Sequence, residues 1–423
     1  MIEVQSKNRP ERALLVGLEQ DGVSKWDLAD SMDELRELAS SAGAHVVNTV
    51  TQRLDKPTAP YYIGKGKAEL IKESFQDQQV TSVIFDNELS PAQGRNLENL
   101  FSRKVLDRTQ LILDIFAQRA RSREGRLQIE LAQLQYLLPR LTRMWTHLSR
   151  QTGGIGTRGP GETQLEVDRR RVQERIARLE RDLAGVRKVR GVQREGRRRH
   201  QWPVAAVVGY TNAGKSTLLN LLTGADVVAE NRLFATLDPT TRSFTLPNKQ
   251  RMLLTDTVGF LRNLPHTLIE SFKATLEEVN EADLLIHVVD LSHPRIDEHI
   301  AAVNSVLKEL DAFGKQTLLV FNKIDAAPNT DFVASYRERY PGSVAISARS
   351  GEGVNVLVQT LQQHVISWRL NLYFCVPLSE SSLIAEIHRV GHVLELRYEG
   401  ESAIITAHVP PQLEQKLAPF AQT

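Results

Sequence analysis

Residues 209–216 read Gly-Tyr-Thr-Asn-Ala-Gly-Lys-Ser, and this stretch decides the fold class. Its spacing matches G-x-x-x-x-G-K-[ST], a loop in which successive backbone N–H groups converge on phosphate oxygens. The apolar run 203–208 before it is typical of a buried strand, and residues 216–222 after it are typical of a helix. This strand–loop–helix order predicts an α/β domain that binds a nucleoside triphosphate.

The residue types within this phosphate loop suit phosphate and magnesium chemistry. Gly209 and Gly214 allow the backbone to fold back on an anion at the positive end of the following helix. Lys215 is expected to reach the β- and γ-phosphates, and the hydroxyl of Ser216 is expected to bind Mg²⁺. Asn212 is either a ligand for a monovalent cation such as K⁺ or a small polar residue that fills the loop. The expected nucleotide contacts here are Gly209, Tyr210, Thr211, Asn212, Ala213, Gly214, Lys215 and Ser216.

A second phosphate motif, Asp256-Thr-Val-Gly259, follows the apolar run 252–254. Asp256 can hold Mg²⁺ through a water molecule, and the N–H of Gly259 can bind the γ-phosphate. The conformation of this loop would then report whether that phosphate is present. The expected nucleotide contacts are Asp256, Thr257, Val258 and Gly259.

The motif Asn322-Lys-Ile-Asp325 follows the apolar run 317–321 and is expected to select the base of the nucleotide. The carboxylate of Asp325 can accept two hydrogen bonds from the N1–H and the exocyclic amine of guanine, a donor pair that adenine lacks. A buried carboxylate left unpaired is costly, so discrimination of roughly 10⁴-fold is expected. The nucleotide is therefore predicted to be GTP, with contacts from Asn322, Lys323, Ile324, Asp325, Ser347, Ala348 and Arg349.

The stretch Phe234-Ala-Thr-Leu-Asp-Pro-Thr240 lies between the two phosphate motifs, where a switch that senses the γ-phosphate is expected. Thr236 is the candidate second Mg²⁺ ligand, with Thr240 and Thr241 as competitors. The expected contacts of this stretch are Phe234, Ala235, Thr236, Leu237 and Asp238, and the expected catalytic residues of the whole site are Lys215, Thr236 and Gly259.

Phe260 occupies the position where many GTPases carry a glutamine that orients the attacking water. A phenyl ring can neither orient water nor stabilise charge, so intrinsic hydrolysis is expected to be slow. The missing help has to come from a partner, another residue or a cation.

Composition and charge restrict the kind of protein. The 423 residues are enough for about three domains, and a single cysteine, Cys375, excludes an intrachain disulfide and suits a reducing compartment. The N-terminus lacks a signal-peptide core and no run of about 18 apolar residues occurs, so a cytoplasmic, soluble protein is expected. We also expect it to be a monomer. Residues 101–200 carry 24 Lys and Arg against 11 Asp and Glu, whereas the remaining residues sum to −11. This asymmetry indicates a polyanionic partner or, alternatively, an arginine-rich solvated helix face.

The pattern along the chain predicts a multidomain α/β protein. Residues 1–107 alternate strands and helices, including a helix over 31–41 capped by Ser31 and another that starts at Ser90-Pro91, and form a small N-terminal α/β domain. Residues 200–368 form the P-loop G domain with a mostly parallel sheet, and residues 369–423 form a small C-terminal α/β domain.

Residues 108–199 are predicted to form an arginine-rich antiparallel helical hairpin. Apolar residues follow heptad spacing on both arms: Leu127, Leu131, Leu134, Leu138, Leu141, Trp145 and Leu148, then Leu165, Val172, Ile176, Leu179, Leu183 and Val186. Pro139 is expected to kink the first arm. The connection 151–162 holds five glycines and is either a flexible turn or a probe that inserts where side chains do not fit. The basic stretch 187–199 is expected to be a mobile linker.

Several of these stretches together resemble the HflX GTPases, which are related to the Obg group of translation-factor-class GTPases. The resemblance runs over about residues 10–370 and is strongest in Gly153-Gly-Ile-Gly-Thr-Arg-Gly-Pro-Gly-Glu-Thr-Gln-Leu-Glu-Val-Asp-Arg169, Phe234–Thr240 and Tyr62-Ile-Gly-Lys-Gly-Lys67. It implies a cytoplasmic GTPase that binds the large (50S) ribosomal subunit and its RNA and splits stalled or idle 70S ribosomes, as in heat stress. It also implies that the hairpin tip reaches towards the peptidyl-transferase centre, and that the subunit stimulates hydrolysis.

Two rival functions remain open on the sequence. A ribosome-assembly GTPase would bind immature large subunits and leave 70S particles intact. An RNA-remodelling protein would use its GTPase only for regulation, although no helicase motif set is visible. The role of residues 369–423 cannot be read from the sequence.

Overall fold

The structure, a computed structural model, describes residues 11–20, 25–141, 164–199, 202–224, 233–234, 236–248, 250–262, 277–368, 370–409, 413 and 416–421. It divides into two compact units. Unit 1 comprises residues 1–186, 230–238 and 263–273, and unit 2 comprises residues 187–229, 239–262 and 274–423.

Unit 1 is built on a four-stranded parallel sheet in the order β2-β1-β3-β4. The strands are β1 (Arg12–Glu19), β2 (His45–Arg53), β3 (Ser82–Phe85) and β4 (Lys104–Asp107). The helices are α1 (Lys25–Ser41), α2 (Lys65–Glu73), α3 (Phe75–Gln78), α4 (Pro91–Phe101), α5 (Arg108–Arg119) and α6 (Arg123–Leu141). Helix α7 (Gln164–Arg199) belongs to this unit up to residue 186. Strands β1, β3 and β4 are mostly buried, as expected of a parallel sheet covered on both faces, whereas the edge strand β2 has no buried residue.

Two helix starts predicted from serine residues have opposite outcomes. Ser90 caps α4 as predicted, since its hydroxyl accepts from the backbone N–H of Gln93 and the Gln93 side chain returns to the Ser90 N–H. The prediction of Ser31 as an N-cap is wrong, because α1 begins at Lys25 and Ser31 lies inside it. The Ser31 hydroxyl donates to Asp86 (2.6 Å), and Glu34 pairs with buried Arg108 (2.9 Å). Tertiary contacts therefore use the residues that the capping pattern assigned to a helix start.

The first arm expected to form the hairpin differs in detail from the heptad reading, whereas in the second arm Leu179 and Leu183 are buried at their heptad positions. In α6 the buried residues include Gln128, Ile129 and Ala132, whereas the described predicted leucines of this arm are only half-buried; Trp145 and Leu148 lie outside the described residues. The physical reason is that α6 also packs against α4 and α5 of the same unit. Pro139 lies inside α6, two residues before its last described residue. Residues 187–199, predicted as a linker, continue helix α7 because arginine is a good helix former even without an apolar face.

A bidentate ion pair joins the two arms, with Arg175 of α7 donating to both oxygens of Glu130 of α6 at 2.7 and 2.8 Å. The glycine-rich connection 151–162 lies outside the described residues, so the antiparallel hairpin and its tip stay a prediction. The three boundaries between the four predicted domains also stay a prediction; α5, placed beyond the first boundary, packs on β3, β4 and α1.

Unit 2 contains a six-stranded sheet in the order β10-β9-β8-β5-β7-β6, in which only the edge pair β6–β7 is antiparallel. The strands are β5 (Val204–Gly209), β6 (Thr240–Thr245), β7 (Arg251–Asp256), β8 (Leu284–Asp290), β9 (Thr317–Asn322) and β10 (Val344–Ala345). Its helices are α8 (Lys215–Thr223), α9 (Glu277–Glu281), α10 (Ile296–Glu309), α11 (Thr330–Arg339) and α12 (Val354–Trp368). The predicted mostly parallel α/β sheet is confirmed.

The C-terminal part of unit 2 is a three-stranded antiparallel sheet in the order β11-β13-β12. Its elements are β11 (Leu370–Pro377), α13 (Ser381–Val390), β12 (His392–Glu399) and β13 (Ser402–Val409). Among the residues that the structure describes, no helix is long and apolar enough to cross a lipid bilayer.

Candidate nucleotide-binding site

The phosphate loop connects β5 to α8 at the carboxyl end of the sheet, where ligands of open α/β folds bind. Gly214 is required here, because its φ is +93° and a Cβ at this position would lie 2.2 Å from Nδ2 of Asn322. Asn212 also has a positive φ of 60°, which asparagine tolerates better than most residues. The sequence therefore encodes this loop locally.

Lys215 is buried beneath the loop, and its ammonium group donates to the backbone carbonyl of Tyr210 at 2.7 Å. Burial lowers the pKa of Lys215 to about 8, although the carboxylate of Asp256 acts in the opposite direction. The buried ammonium group of Lys215 is stabilised by any anion that binds to it, and the phosphates of a nucleoside triphosphate provide such an anion.

Ser216, in the first turn of α8, meets Asp256, the last residue of β7. The Ser216 hydroxyl donates to Oδ2 of Asp256 at 2.6 Å, and Asp256 is fully buried. A hydroxyl and a carboxylate are hard oxygen ligands, the donor types that Mg²⁺ prefers when it also keeps waters and phosphate oxygens. The two residues present thus fit the expected metal.

The second phosphate motif is bonded directly to the phosphate loop. The N–H of Thr211 donates to the carbonyl of Phe260 at 2.8 Å, and the N–H of Phe260 donates to the carbonyl of Gly209 at 3.1 Å. A Cβ on Gly259 would lie 2.8 Å from Cα of Thr211 and 2.9 Å from Nζ of Lys215. Only glycine therefore allows this close approach.

The ring of Tyr210 extends this contact to helix α10. It stacks on His299 with ring centroids 3.8 Å apart and planes within 4°, and its hydroxyl accepts from the N–H of Arg262 at 3.0 Å. The guanidinium of Arg262 pairs with Glu298 at 2.7 Å. Burial lowers the pKa of His299 to about 3, with further lowering by His293, so the ring stays neutral at physiological pH.

The base-binding loop is tied to the phosphate loop by one side chain. The Asn322 amide donates to the carbonyl of Ala213 at 2.8 Å, and its oxygen accepts from the N–H of Ala348 at 2.9 Å. Ser347 is fully buried and its hydroxyl accepts from the N–H of Ser350. Asn322 therefore holds the two halves of the expected site at a fixed separation.

The side chains expected to contact guanine lie at the surface of this loop. Asp325 falls in a 3₁₀ turn, Ile324–Ala326, and is exposed, as is Arg349. Lys323 has a φ of +63° and pairs with Asp290 at 2.6 Å, which fixes the direction of its stem. An exposed carboxylate beside a fixed lysine stem is an arrangement that can receive a base.

Residues 233–238, which include most of the predicted switch stretch, group with unit 1, whereas Pro239 and Thr240 group with unit 2. Leu233, Phe234 and Leu237 are buried, whereas Thr236 and Asp238 are partly exposed. Ala235 lies outside the described residues. The Mg²⁺ role of Thr236 stays a prediction.

Residues missed by the sequence reasoning include Asp290, Arg262 and His299. Asp290 ends strand β8, and its place at the carboxyl end of a parallel strand was a usable signal. No sequence pattern indicated the stack between His299 and Tyr210, since it joins residues from distant parts of the chain.

Comparisons with known proteins find similar GTPases. Three family profiles match in order: "GTP-binding GTPase N-terminal" over residues 29–117, "GTP-binding GTPase Middle Region" over 119–197, and "50S ribosome-binding GTPase" over 204–323. A crystal structure of a GTP-binding protein from Sulfolobus solfataricus in complex with GDP is 25% identical and covers 84% of this chain and 98% of that chain, with a TM-score of 0.45.

Two relatives carry the stronger likeness. GTPase HflX of Lacrimispora saccharolytica is 45% identical over 415 residues, which is 98% of this chain and 97% of the relative. GTPase HflX of Escherichia coli K12 is 49% identical over 337 residues, 79% of each chain. With identity of this degree along nearly the full length, the chain belongs to the HflX family of GTPases and is a GTP-binding enzyme that hydrolyses GTP.

Proposed function

We propose that the protein binds the large ribosomal subunit and dissociates stalled or idle 70S ribosomes, and that the ribosome stimulates its GTP hydrolysis. The observation that carries the proposal is the charge asymmetry: residues 101–200 hold 24 Lys and Arg against 11 Asp and Glu, within an otherwise acidic chain. Twenty-two of the 24 are arginine, which suits bidentate contacts with RNA phosphates. The profile described as "50S ribosome-binding GTPase" supports the choice of partner.

In the proposed site, Ser216 and Thr236 would be the protein ligands of Mg²⁺, and Asp256 would hold it through water. The metal would neutralise charge on the β- and γ-phosphates. Lys215 binds the same oxygens, and Gly259, packed against Lys215, senses the γ-phosphate through its N–H.

Phe260 makes hydrolysis depend on a partner. Its side chain is 2% exposed and its backbone pairs with the phosphate loop, so it offers no group that orients water. The ribosome is proposed to supply this stimulation, and Asn212 remains a candidate ligand for K⁺. In the proposed cycle, GTP binds first, the basic helices dock on ribosomal RNA, and the subunits then separate. Hydrolysis of GTP finally resets the affinity for the ribosome.

The first experiment measures GTP turnover with and without purified 50S subunits. Stimulation is expected with 50S subunits, and it should shrink as salt is raised, because phosphate contacts release counterions. A variant that lacks residues 153–161 should keep its basal rate and lose stimulation. Equal turnover with and without 50S subunits would contradict ribosome binding.

The second experiment separates splitting from its rivals by sedimentation of 70S ribosomes. A non-hydrolysable GTP analogue should still split the particles, because separation needs only binding energy, whereas release of the protein should fail. Binding to immature large subunits with intact 70S particles would instead indicate an assembly factor. Unwinding of RNA without ribosomes would indicate RNA remodelling.

A further inference from the structure

The side chain of Asp238 is bound at the start of helix α6. Its Oδ2 accepts from the N–H groups of Arg121 and Ser122, at 2.9 and 2.7 Å, and its Oδ1 accepts from the Ser122 hydroxyl. The same hydroxyl accepts from the N–H of Gly125 at 2.9 Å. Three groups of the turn before α6 therefore converge on one carboxylate that comes from the switch stretch.

This arrangement is an N-terminal helix cap with an added anion. Ser122 precedes Arg123, the first residue of α6, and bonds the third residue of the helix, as an N-cap residue does. The negative charge of Asp238 also lies near the positive end of the helix. Caps of this kind contribute on average a severalfold change in a folding equilibrium, so the contact is strong enough to matter.

The other end of the stretch is anchored in the same unit. The ring of Phe234 packs edge-on against Phe116 of α5 with centroids 4.5 Å apart, and both side chains are at most 2% exposed. The N–H of Leu233 donates to the hydroxyl of Ser41 at 3.2 Å. Phe234 has a φ of +56°, a conformation that a bulky residue adopts only when its surroundings hold it.

Thr236 lies midway between these anchors, two residues from Phe234 and two from Asp238. In most GTPases this switch is ordered by the γ-phosphate and its metal, and the loss of conformational freedom weakens binding. Here contacts within unit 1 already restrict the residues on both sides of Thr236, so less freedom is left to lose.

We propose that Asp238 is a positioning residue that couples Mg²⁺·GTP binding to the N-terminal cap of α6. An intact cap presents Thr236 to the metal and strengthens binding of the triphosphate, and by linkage the bound triphosphate stabilises the start of α6. GDP does not use Thr236, so its binding is independent of the cap. The inference rests on the proposed role of Thr236 and not on the ribosome.

Gly125 offers a variant that breaks the cap without changing any residue of the switch stretch. A Cβ on Gly125 would lie 2.6 Å from Oδ1 of Asp238 and 3.1 Å from the Ser122 hydroxyl, so Gly125→Ala displaces the carboxylate. Gly94 of α4 is a matched control in the same unit, because a Cβ there meets nothing within 4 Å. Both changes raise helix propensity equally.

The measurement is the affinity of the isolated protein for a non-hydrolysable GTP analogue with Mg²⁺ and for GDP. Gly125→Ala should lower the affinity for the analogue about fivefold and leave the affinity for GDP unchanged, since couplings of this kind are typically fivefold or more. Gly94→Ala should change neither. Unchanged or tighter analogue binding in Gly125→Ala would overturn the proposal.

Asp238→Asn provides a second, milder variant that keeps the size of the side chain. It should lower analogue affinity in the same direction, and Ser90→Ala, which removes the cap of α4, should not. Hydrogen exchange should show that the analogue protects the first turn of α6 in wild type and not in Asp238→Asn. Equal protection in both would contradict the coupling.

Thr236→Ala separates the two proposals. If it removes the preference for the analogue over GDP while Gly125→Ala has no effect, the coupling is wrong and the site stands. If neither variant has an effect, the role of Thr236 is wrong and the coupling falls with it.

Discussion

The phosphate loop and the stretch Leu233–Asp238 serve the same triphosphate in the proposed site, yet they are held in different ways. Lys215 of the loop bonds a carbonyl five residues earlier, and Gly214 provides the backbone conformation that the turn needs. The switch stretch bonds residues 116 and 192 positions away, through Asp238 and Leu233. The loop is therefore fixed mainly by its own sequence and sheet, and the stretch by a different part of the chain.

This difference separates the two tasks of a GTPase. Binding of any guanine nucleotide depends on a loop that a short motif encodes. Discrimination between GTP and GDP is proposed to depend on a stretch whose order can be tuned from unit 1 without altering the loop.

The largest effect is expected from Gly214→Ala, which attacks the locally encoded loop. A Cβ there collides with the Asn322 amide at 2.2 Å and is strained at a φ of +93°, so GDP and the GTP analogue should both bind about 100-fold more weakly. Titration with labelled nucleotides provides the measurement. Gly224→Ala is the control, because it has a φ of +65° but open space. Equal losses in both variants would show that strain alone is responsible.

A smaller effect tests a long-range contact of the loop, the stack of Tyr210 on His299. Burial lowers the pKa of His299 to about 3 and that of His287 to about 4. The unfolded chain then binds more protons below pH 6.5, so stability falls as pH falls. The expected loss of stability between pH 7.5 and pH 5 is about 2 kcal/mol for each of the two histidines.

Urea unfolding at the two pH values provides the measurement. His299→Phe keeps a ring for the stack and should remove about half of the pH-dependent loss. Tyr210→Phe should keep the full pH dependence, since the ring remains and no histidine changes. A His299→Phe variant with the wild-type dependence would show that His299 does not stay neutral in the fold.

The next effect concerns the charge of the loop. Burial lowers the pKa of Lys215 to about 8 in the nucleotide-free protein, and a bound triphosphate should raise this pKa. Binding then takes up a proton above pH 8, so the affinity should be level from pH 7 to 8 and fall about tenfold per unit above it. Titrations from pH 7 to 9 measure this. Lys215→Arg, whose guanidinium does not titrate, should give a level profile at lower affinity; a slope in that variant would assign the titration elsewhere.

The smallest effect is expected from Ser41→Ala, at the far end of the switch stretch. The variant removes the acceptor for the N–H of Leu233, one hydrogen bond of about 1 kcal/mol, while Phe234 and Asp238 stay anchored. Analogue affinity should fall about twofold, with GDP unchanged. An effect as large as that of Gly125→Ala would mean that the anchors act as one unit and not separately.

Much of the fold could be predicted from the sequence because its signals are local. The phosphate loop, the parallel strands and the helix start at Ser90 follow from spacing, apolar runs and capping chemistry. The start of α1 could not be predicted, because Ser31 and Glu34 match a capping pattern but bond Asp86 and Arg108 from distant elements.

The residues of the site also divide into those placed by local motifs and those placed by distant contacts. Lys215, Ser216 and Asp256 are brought together as their motifs predict. The partners of Asp238 and Tyr210 could not be predicted, since the groups they contact follow no motif and meet only when the chain has folded. Composition alone could not decide the structure of residues 187–199, because an arginine-rich stretch suits both a helix and a linker.

The close approach of Gly125 to Asp238 also restricts how such sequences can diverge. Any side chain at position 125 competes with the carboxylate for the same space, so the two positions should change together among relatives. A chimera that takes residues 200–368 from one homologue and the remainder from another should work only when both halves carry a compatible pair. The contact thus makes two segments that are far apart in the sequence depend on each other as the sequence diverges.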